Sequence, residues 1–270
     1  MREYLDLVER VLARGRLKRN RTGVDTISSF AEHYTVDLSR GFPLLTTKRV
    51  NFGAMLHEVL WYLSGEDHIR NLRRHTKIWD PWADAEGRLD SAYGRYWRRF
   101  PSARIDPVTG AWEVTEVDQI ARVLGILKTD PSSRRMVVTA WEPGNALASR
   151  LPPCHYTFVF NVQEDRLNCH LTQRSGDIAI GVPFNLAAYA LLTQMLAQEA
   201  GFAPGLFSHI LVDAHIYVNH VEGLKEQLTR APFPLPHVAI APKPLDSLEC
   251  GDFTLTGYRS HEPIRFEVAV

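Results

Sequence analysis

The chain has 270 residues, with 31 Lys and Arg against 31 Asp and Glu, and so no formal net charge at neutral pH with histidine uncharged. That balance argues against a non-specific nucleic-acid coat. At 45% hydrophobic and 23% charged residues, the chain is not disordered, collagen-like or disulfide-dense. Cys154, Cys169 and Cys250 are too few for a disulfide framework, and no CxxC pair marks a zinc site. The expectation is a metal-free protein of a reducing compartment. The sequence shows no signal-peptide core and no apolar run of the roughly 20 residues a membrane span needs, so the expected location is cytoplasmic. No repeat or Pro/Gly/Ser linker divides the chain, which reads as one domain over residues 1–270.

Residues 2–14 have the spacing of an amphipathic helix, and the turn-prone RLKRNRTGVD leads from it to a strand in TISSFAEHYTVDL. In NFGAMLHEVLWYLSG, residues Phe52, Met55, Leu56, Val59, Leu60 and Leu63 fall on one helical stripe that Gly65 ends, with Glu58 on its flank near Met55 and Tyr62. VDQIARVLGILKTDP reads as a helix stopped by Asp130-Pro131, and MVVTAW as a short strand. LPPCHYTFVFNV and RLNCHLTQRS read as paired strands turning at Glu164-Asp165. FNLAAYALLTQMLAQEAG is apolar nearly all round, as a buried helix is. In HILVDAHIYV, alternation puts Ile210, Val212, Ala214, Ile216 and Val218 on one face, expected to be core. His209, Asp213, His215 and Tyr217 share the other, expected to line a cavity. Short strands in HVAIAPK and DFTLTGY complete an α+β chain with helices covering a large mixed sheet.

Cys154 and His155 are neighbours, but adjacent strand residues point to opposite faces, so His155 is poorly placed as a base for Cys154. What singles out Cys154 is its place at the mouth of a strand beside a proline-stiffened turn. Arg21, the pair Arg134-Arg135, and Arg174-Ser175 with Asp177 carry the fork and hydroxyl donors that bind phosphate, although any one arginine alone reads as a surface charge. Arg70, Arg73, Arg74, Arg95, Arg98 and Arg99 read as surface. His215 and Tyr217 suit a sugar hydroxyl or a closed polar network, and Trp79 and Trp82 a core or a stacking wall.

With LPPCH, QRSGDIAIGVPFN, DAHIYVNH, RNRTG and a terminal Val-Ala-Val, the chain resembles the folate-dependent, cysteine-nucleophile thymidylate synthase family. FPLLTTKR, HEVLWYLSG, IWDPWAD, YGRYWR, SSRRMVV and Gly257-Tyr258 extend the resemblance in register over the whole length. It implies that Cys154 adds to C6 of dUMP with Arg174 lowering the thiol pKa, and that Glu58 and Tyr93 organise water and proton transfers. Arg21, Arg174 and Ser175 match phosphate ligands. Arg134 and Arg135 match a pair reaching the neighbouring subunit's phosphate, which implies a homodimer with a sheet face at its interface. Asn185 matches the pyrimidine reader and His215 with Tyr217 the 3′-hydroxyl ligands; Gly176, Asp177 and Ile216 complete the substrate set. Trp79, Trp82, Asp177, Gly181, Phe184 and Ala269 fall where the family holds 5,10-methylenetetrahydrofolate, Asn51 where many members contact it through His, and Lys48 at the glutamyl tail. Val270 would close over the complex.

Asn51, Tyr96 and the small residues of DIAIG, Ala179 among them, depart from the family pattern near the folate. They leave open a pyrimidine hydroxymethylase, in which water replaces the hydride. A third reading is a non-catalytic nucleotide sensor or RNA binder, which would survive Cys154→Ser unchanged; the neutral charge lends nucleic acid no support.

Overall fold

The first helix, α1 (Arg2–Arg14), buries Tyr4, Leu5, Leu7, Val8 and Val11, the stripe that the sequence period predicts. The computed structural model describes residues 1–268. At Gly15 the chain enters β1 (Arg16–Lys18) and β2 (Thr26–Asp37) with no room for a side chain, since a Cβ there would lie 2.5 Å from Ile27 Cγ2 and 2.6 Å from the Val11 carbonyl oxygen. Helix α2 (Phe52–Ser64) starts where the Asn51 side chain accepts the Ala54 N–H, and ends at left-handed Gly65, φ 72°. Helix α3 (Tyr93–Arg98) crosses α2 so closely that a Cβ on Gly94 would lie 2.6 Å from the Tyr62 carbonyl oxygen. The hairpin β3 (Phe100–Ile105) and β4 (Trp112–Val117) follows, then α4 (Gln119–Thr129), β5 (Val137–Thr139) and α5 (Pro143–Ala148). Next come β6 (His155–Gln163), β7 (Arg166–Asp177), α6 (Gly181–Ala200), β8 (Ala203–Tyr217), α7 (Val221–Leu228) and the hairpin β9 (His237–Ile240) with β10 (Phe253–Thr256).

The large sheet runs β1-β2-β8-β7-β6-β5, antiparallel except between β7 and β8. A parallel neighbour requires a long crossover, and α6 is that crossover. Its Val182, Leu186, Tyr189, Leu191, Met195 and Leu196 are all buried, each large apolar side chain contributing about 1.5–3 kcal/mol by leaving water. Tyr189 packs edge-on against Phe158 of β6 at 5.0 Å. The architecture is therefore α+β with a mixed sheet, as the sequence implies.

Two features differ from the sequence reading. On β8 the face assigned to the cavity is also core: Phe207, His209 and Leu211 are fully buried, whereas Ile210 and Val212 are half-exposed on the opposite side. Only Asp213, His215 and Tyr217, at the end of the strand, reach a cavity. His209 tolerates burial because Tyr34 Oη lies 2.7 Å from its Nδ1 and Gln173 Oε1 lies 3.0 Å from its Nε2. The β3–β4 hairpin was not anticipated, since it leaves Ile105, Trp112 and Val114 exposed and so carries no in-out burial pattern.

Candidate active site

A cleft of about 390 Å³ opens at the ends of β6, β7 and β8 and is walled on its far side by α2, α6 and residues 78–82. Cys154 sits on it one residue before β6 begins. Arg174, on the neighbouring strand, donates from Nε to the Pro153 carbonyl at 2.9 Å and from Nη2 to the Pro152 carbonyl at 2.6 Å. Prolines stiffen this turn, so the guanidinium is fixed, with Nη2 3.5 Å from Cys154 Sγ. Burial pushes the Cys154 thiol up, against the lowering fields of Arg174 and Arg21. The expectation that Arg174 lowers this pKa holds for the sign of its own effect, but desolvation outweighs it.

His155 also lines the cleft but is tied into the core. It is buried, bonded through Nδ1 to Tyr189 Oη at 2.8 Å, and pushed by burial down to about 3. It is a core histidine and supplies no base to Cys154. Tyr93, placed by α3, stacks on it and accepts the Cys154 backbone N–H at 2.7 Å. Across the cleft, Glu58 of α2 accepts the Trp79 indole N–H at 2.6 Å, and burial raises its carboxyl pKa despite that bond and one from Tyr62. Trp79 packs edge-on to Trp82 at 5.8 Å and, with Phe184, Ile180 and Gly181 of the α6 region, makes an apolar wall. Asp177 lines the same region, its Oδ1 accepting the Ala179 and Ile180 N–H groups at 2.9 and 3.2 Å.

Arg21, Ser175, Asn185, His215 and Tyr217 also line the cleft. Arg21 is presented by a turn in which Asn20 Oδ1 accepts the Thr22 N–H at 2.8 Å and Gly23 takes φ 77°. Lys18, Asn20, Thr22 and Asp213 also line the cleft but did not stand out as site residues in the sequence. Asp213 accepts from Lys18, and from Ser28 Oγ at 2.9 Å, and lies 3.4 Å from His215 Nδ1. Hydrogen bonds from His215, Lys18 and Ser28 hold its carboxyl far below the usual carboxylate range. The only sequence signal for Asp213 was that it shares a strand face with His215.

Several expected residues lie elsewhere. The Ile216 side chain is fully buried in the core. Gly176 lies behind the wall, where a Cβ would meet Leu211 Cδ2 at 2.8 Å. Asn51 caps α2 instead of facing the cleft. Lys48 is buried, its ammonium donating to the Ala179 carbonyl oxygen and lying 4.7 Å from the Phe266 ring centre, and burial lowers it to about 8. Arg134 and Arg135, expected at a neighbouring subunit's phosphate and not at this one, are exposed and off this cleft. Ala269 and Val270 lie outside the described residues, while Val268 is on the cleft wall. Tyr96 and Ala179, two of the departures from the family pattern, are buried off the wall; Tyr96 Oη accepts from Asn145 at 2.8 Å.

Fold and cleft together describe an α+β protein whose cleft holds a cysteine thiol beside a fixed guanidinium. Residues 2–270 match the family model for thymidylate synthase. The chain is 47% identical over 326 residues to a thymidylate synthase of Haloferax volcanii, with 98% of this chain and 95% of the relative covered. It belongs to the thymidylate synthase family, whose reaction is the methylation of dUMP to dTMP with a folate.

Proposed function

We propose that this cleft performs the family's reaction with the following division of labour. The observation that carries the assignment is the fixed Arg174 guanidinium 3.5 Å from Cys154 Sγ, in one cleft with Asn185, His215 and Tyr217. A guanidinium has five N–H donors. Those on Nε and Nη2 serve the two proline carbonyls, which leaves Nη1 for a phosphate beside Arg21 and Ser175. His215, oriented by Asp213, and Tyr217 take the 3′-hydroxyl, while Asn185 reads N3-H and O4 of the pyrimidine. Cys154 rests as a thiol, and Arg174 stabilises the thiolate as it forms. The thiolate bonds to C6, the electron pair of the C5–C6 double bond moves to C5, and C5 becomes the carbon nucleophile. Glu58, with its raised pKa, and Tyr93 move protons at the ring through water. Loss of the C5 proton and departure of the thiolate restore the double bond.

The wall of Trp79, Trp82 and Phe184 beside the Asp177 carboxylate fits a flat ring bearing N–H donors. The co-substrate it would hold, 5,10-methylenetetrahydrofolate, supplies the one-carbon unit and the hydride and leaves as dihydrofolate. Asn51, Tyr96 and Ala179 lie off the cleft, and of the DIAIG departures Ile180 lines it; the family match does not favour the hydroxymethylase reading.

Arg134 and Arg135 serve the phosphate of a second copy, docked on the sheet face that carries the half-exposed Ile210 and Val212. Among the described residues no helix is long and apolar enough to cross a membrane. All three cysteines are unpaired, and a nucleophilic thiol calls for the reducing cytoplasm.

The test is to incubate the protein with dUMP and methylenetetrahydrofolate, following dihydrofolate by absorbance and the nucleotide by mass. Equal amounts of dihydrofolate and dTMP are expected. Hydroxymethylated nucleotide with tetrahydrofolate would overturn the assignment.

A further inference from the structure

We propose that His220 is a positioning residue: it latches the C-terminal segment so that Val268 closes the folate end of the cleft. The segment after Tyr258 has neither helix nor strand as far as residue 268. Its first half is tied by the His261 N–H to the Thr46 carbonyl at 2.8 Å and by Arg230 to the Glu262 carbonyl at 2.6 Å. Beyond Glu262, among the described residues, one hydrogen bond holds the backbone. His220 Nε2 lies 2.8 Å from the Glu267 carbonyl oxygen, and because a carbonyl only accepts, the proton sits on Nε2.

The side chains form a slot around that bond. Phe266 packs on the His220 ring at 5.0 Å, and the Lys48 ammonium covers its face at 4.7 Å. Gly223, inside α7, makes the room: a Cβ there would lie 2.7 Å from Phe266 Cε1 and 3.0 Å from Ile264 Cγ2. Glycine weakens a helix interior, so its presence here answers to the slot and not to the helix. The next residue but one after Phe266 is Val268, on the cleft wall.

His220 is also in touch with the cleft from behind. It is 1% exposed, its ring meets Tyr217 at 5.4 Å, and its Nδ1 is buried 4.0 Å from Asp177 Oδ1 with no hydrogen-bond partner among the described residues. Tyr217 and Asp177 both line the cleft, so a ligand that orders either of them also orders the latch. His220 touches no reacting atom; it acts through Glu267 and Phe266.

The test has one arm that needs no turnover and one that rests on the proposed function. Trypsin cleavage after Arg265 should accelerate about tenfold in His220→Ala, the scale of one neutral hydrogen bond, with cleavage after Lys225 of α7 unchanged. His220→Gln, whose amide can still donate to Glu267, should recover part of the protection. Phe266→Ala, which lies in the segment itself and does not test the core, should repeat the acceleration. In steady state the same variants should raise KM for methylenetetrahydrofolate more than they raise the dissociation constant of dUMP. Unchanged cleavage after Arg265 in His220→Ala, or equal acceleration after Lys225, would overturn the latch. If the wild-type protein makes no dTMP, the functional reading fails while the cleavage arm still decides the latch.

Discussion

The Tyr93 hydroxyl accepts the backbone N–H of Cys154 at 2.7 Å, while its ring lies 3.8 Å from the His155 ring and 5° from parallel with it. One aromatic residue thus fixes both neighbours at the strand mouth, the backbone of Cys154 and the ring of a neutral, buried His155. Tyr93→Phe keeps the stack and removes the acceptor, leaving the Cys154 N–H without its partner. The expected cost is about 1–3 kcal/mol, read as a lower melting temperature, with a larger loss in kcat than in dUMP affinity.

Arg174 is bound to the two carbonyls that shape the turn as well as lying beside the thiol. Its removal takes away the first of the two fields opposing the burial effect on Cys154, so the thiol pKa rises further. The alkylation rate of Cys154 against pH should shift to higher pH in Arg174→Ala. Arg174→Lys should not restore activity, because a point ammonium cannot serve both carbonyls and a phosphate. An unshifted profile would remove Arg174 from the nucleophile's environment.

Glu58 has its folded-state pKa raised by burial. Such a group contributes stability below the ordinary glutamate range and loses that contribution as pH rises through the folded value. Glu58→Gln carries no such dependence. Its stability relative to wild type should therefore increase with pH above the ordinary glutamate range, while its turnover collapses; denaturant titrations at several pH values check the sign.

For Asp213 the sign is opposite. Bonds from His215, Lys18 and Ser28 depress its pKa, so its contribution is present above the ordinary aspartate range and is lost as pH falls below it. Asp213→Asn should weaken dUMP binding about tenfold by releasing His215, on the scale of a charge-assisted hydrogen bond, and should flatten the acid limb of the stability profile.

Much of this was legible because pattern and chemistry agreed locally. Helix α2 follows from its apolar stripe and the Gly65 stop, and α6 from being apolar nearly all round, whereas Asn51, read toward the folate, caps α2. Cys154 stood out because it sits at the mouth of a strand beside a proline-stiffened turn. What sequence could not show was where charge is tolerated inside: Lys48 is buried because a backbone carbonyl and an aromatic face meet it, partners that lie 131 and 218 residues away. The same holds for Lys18 and Asp213, joined across 195 residues. Ile216 followed the motif around it into the substrate set, although alternation already pointed it to the core.

Arg134 and Arg135 supply a test of assembly. Arg134→Ala and Cys154→Ala should each be inactive as homodimers and regain partial activity when mixed and reassembled, since one site would then keep both groups. Verified heterodimers without activity would exclude a shared site.

The central claim is that Cys154 bonds to the nucleotide during turnover. It is tested most directly by acid-quenching the enzyme under turnover with dUMP and methylenetetrahydrofolate and mapping the peptides by mass. The account predicts a nucleotide adduct on the peptide bearing Cys154, none on those bearing Cys169 or Cys250, and no turnover in Cys154→Ser. Turnover surviving in Cys154→Ser, or an adduct on another residue, would contradict it.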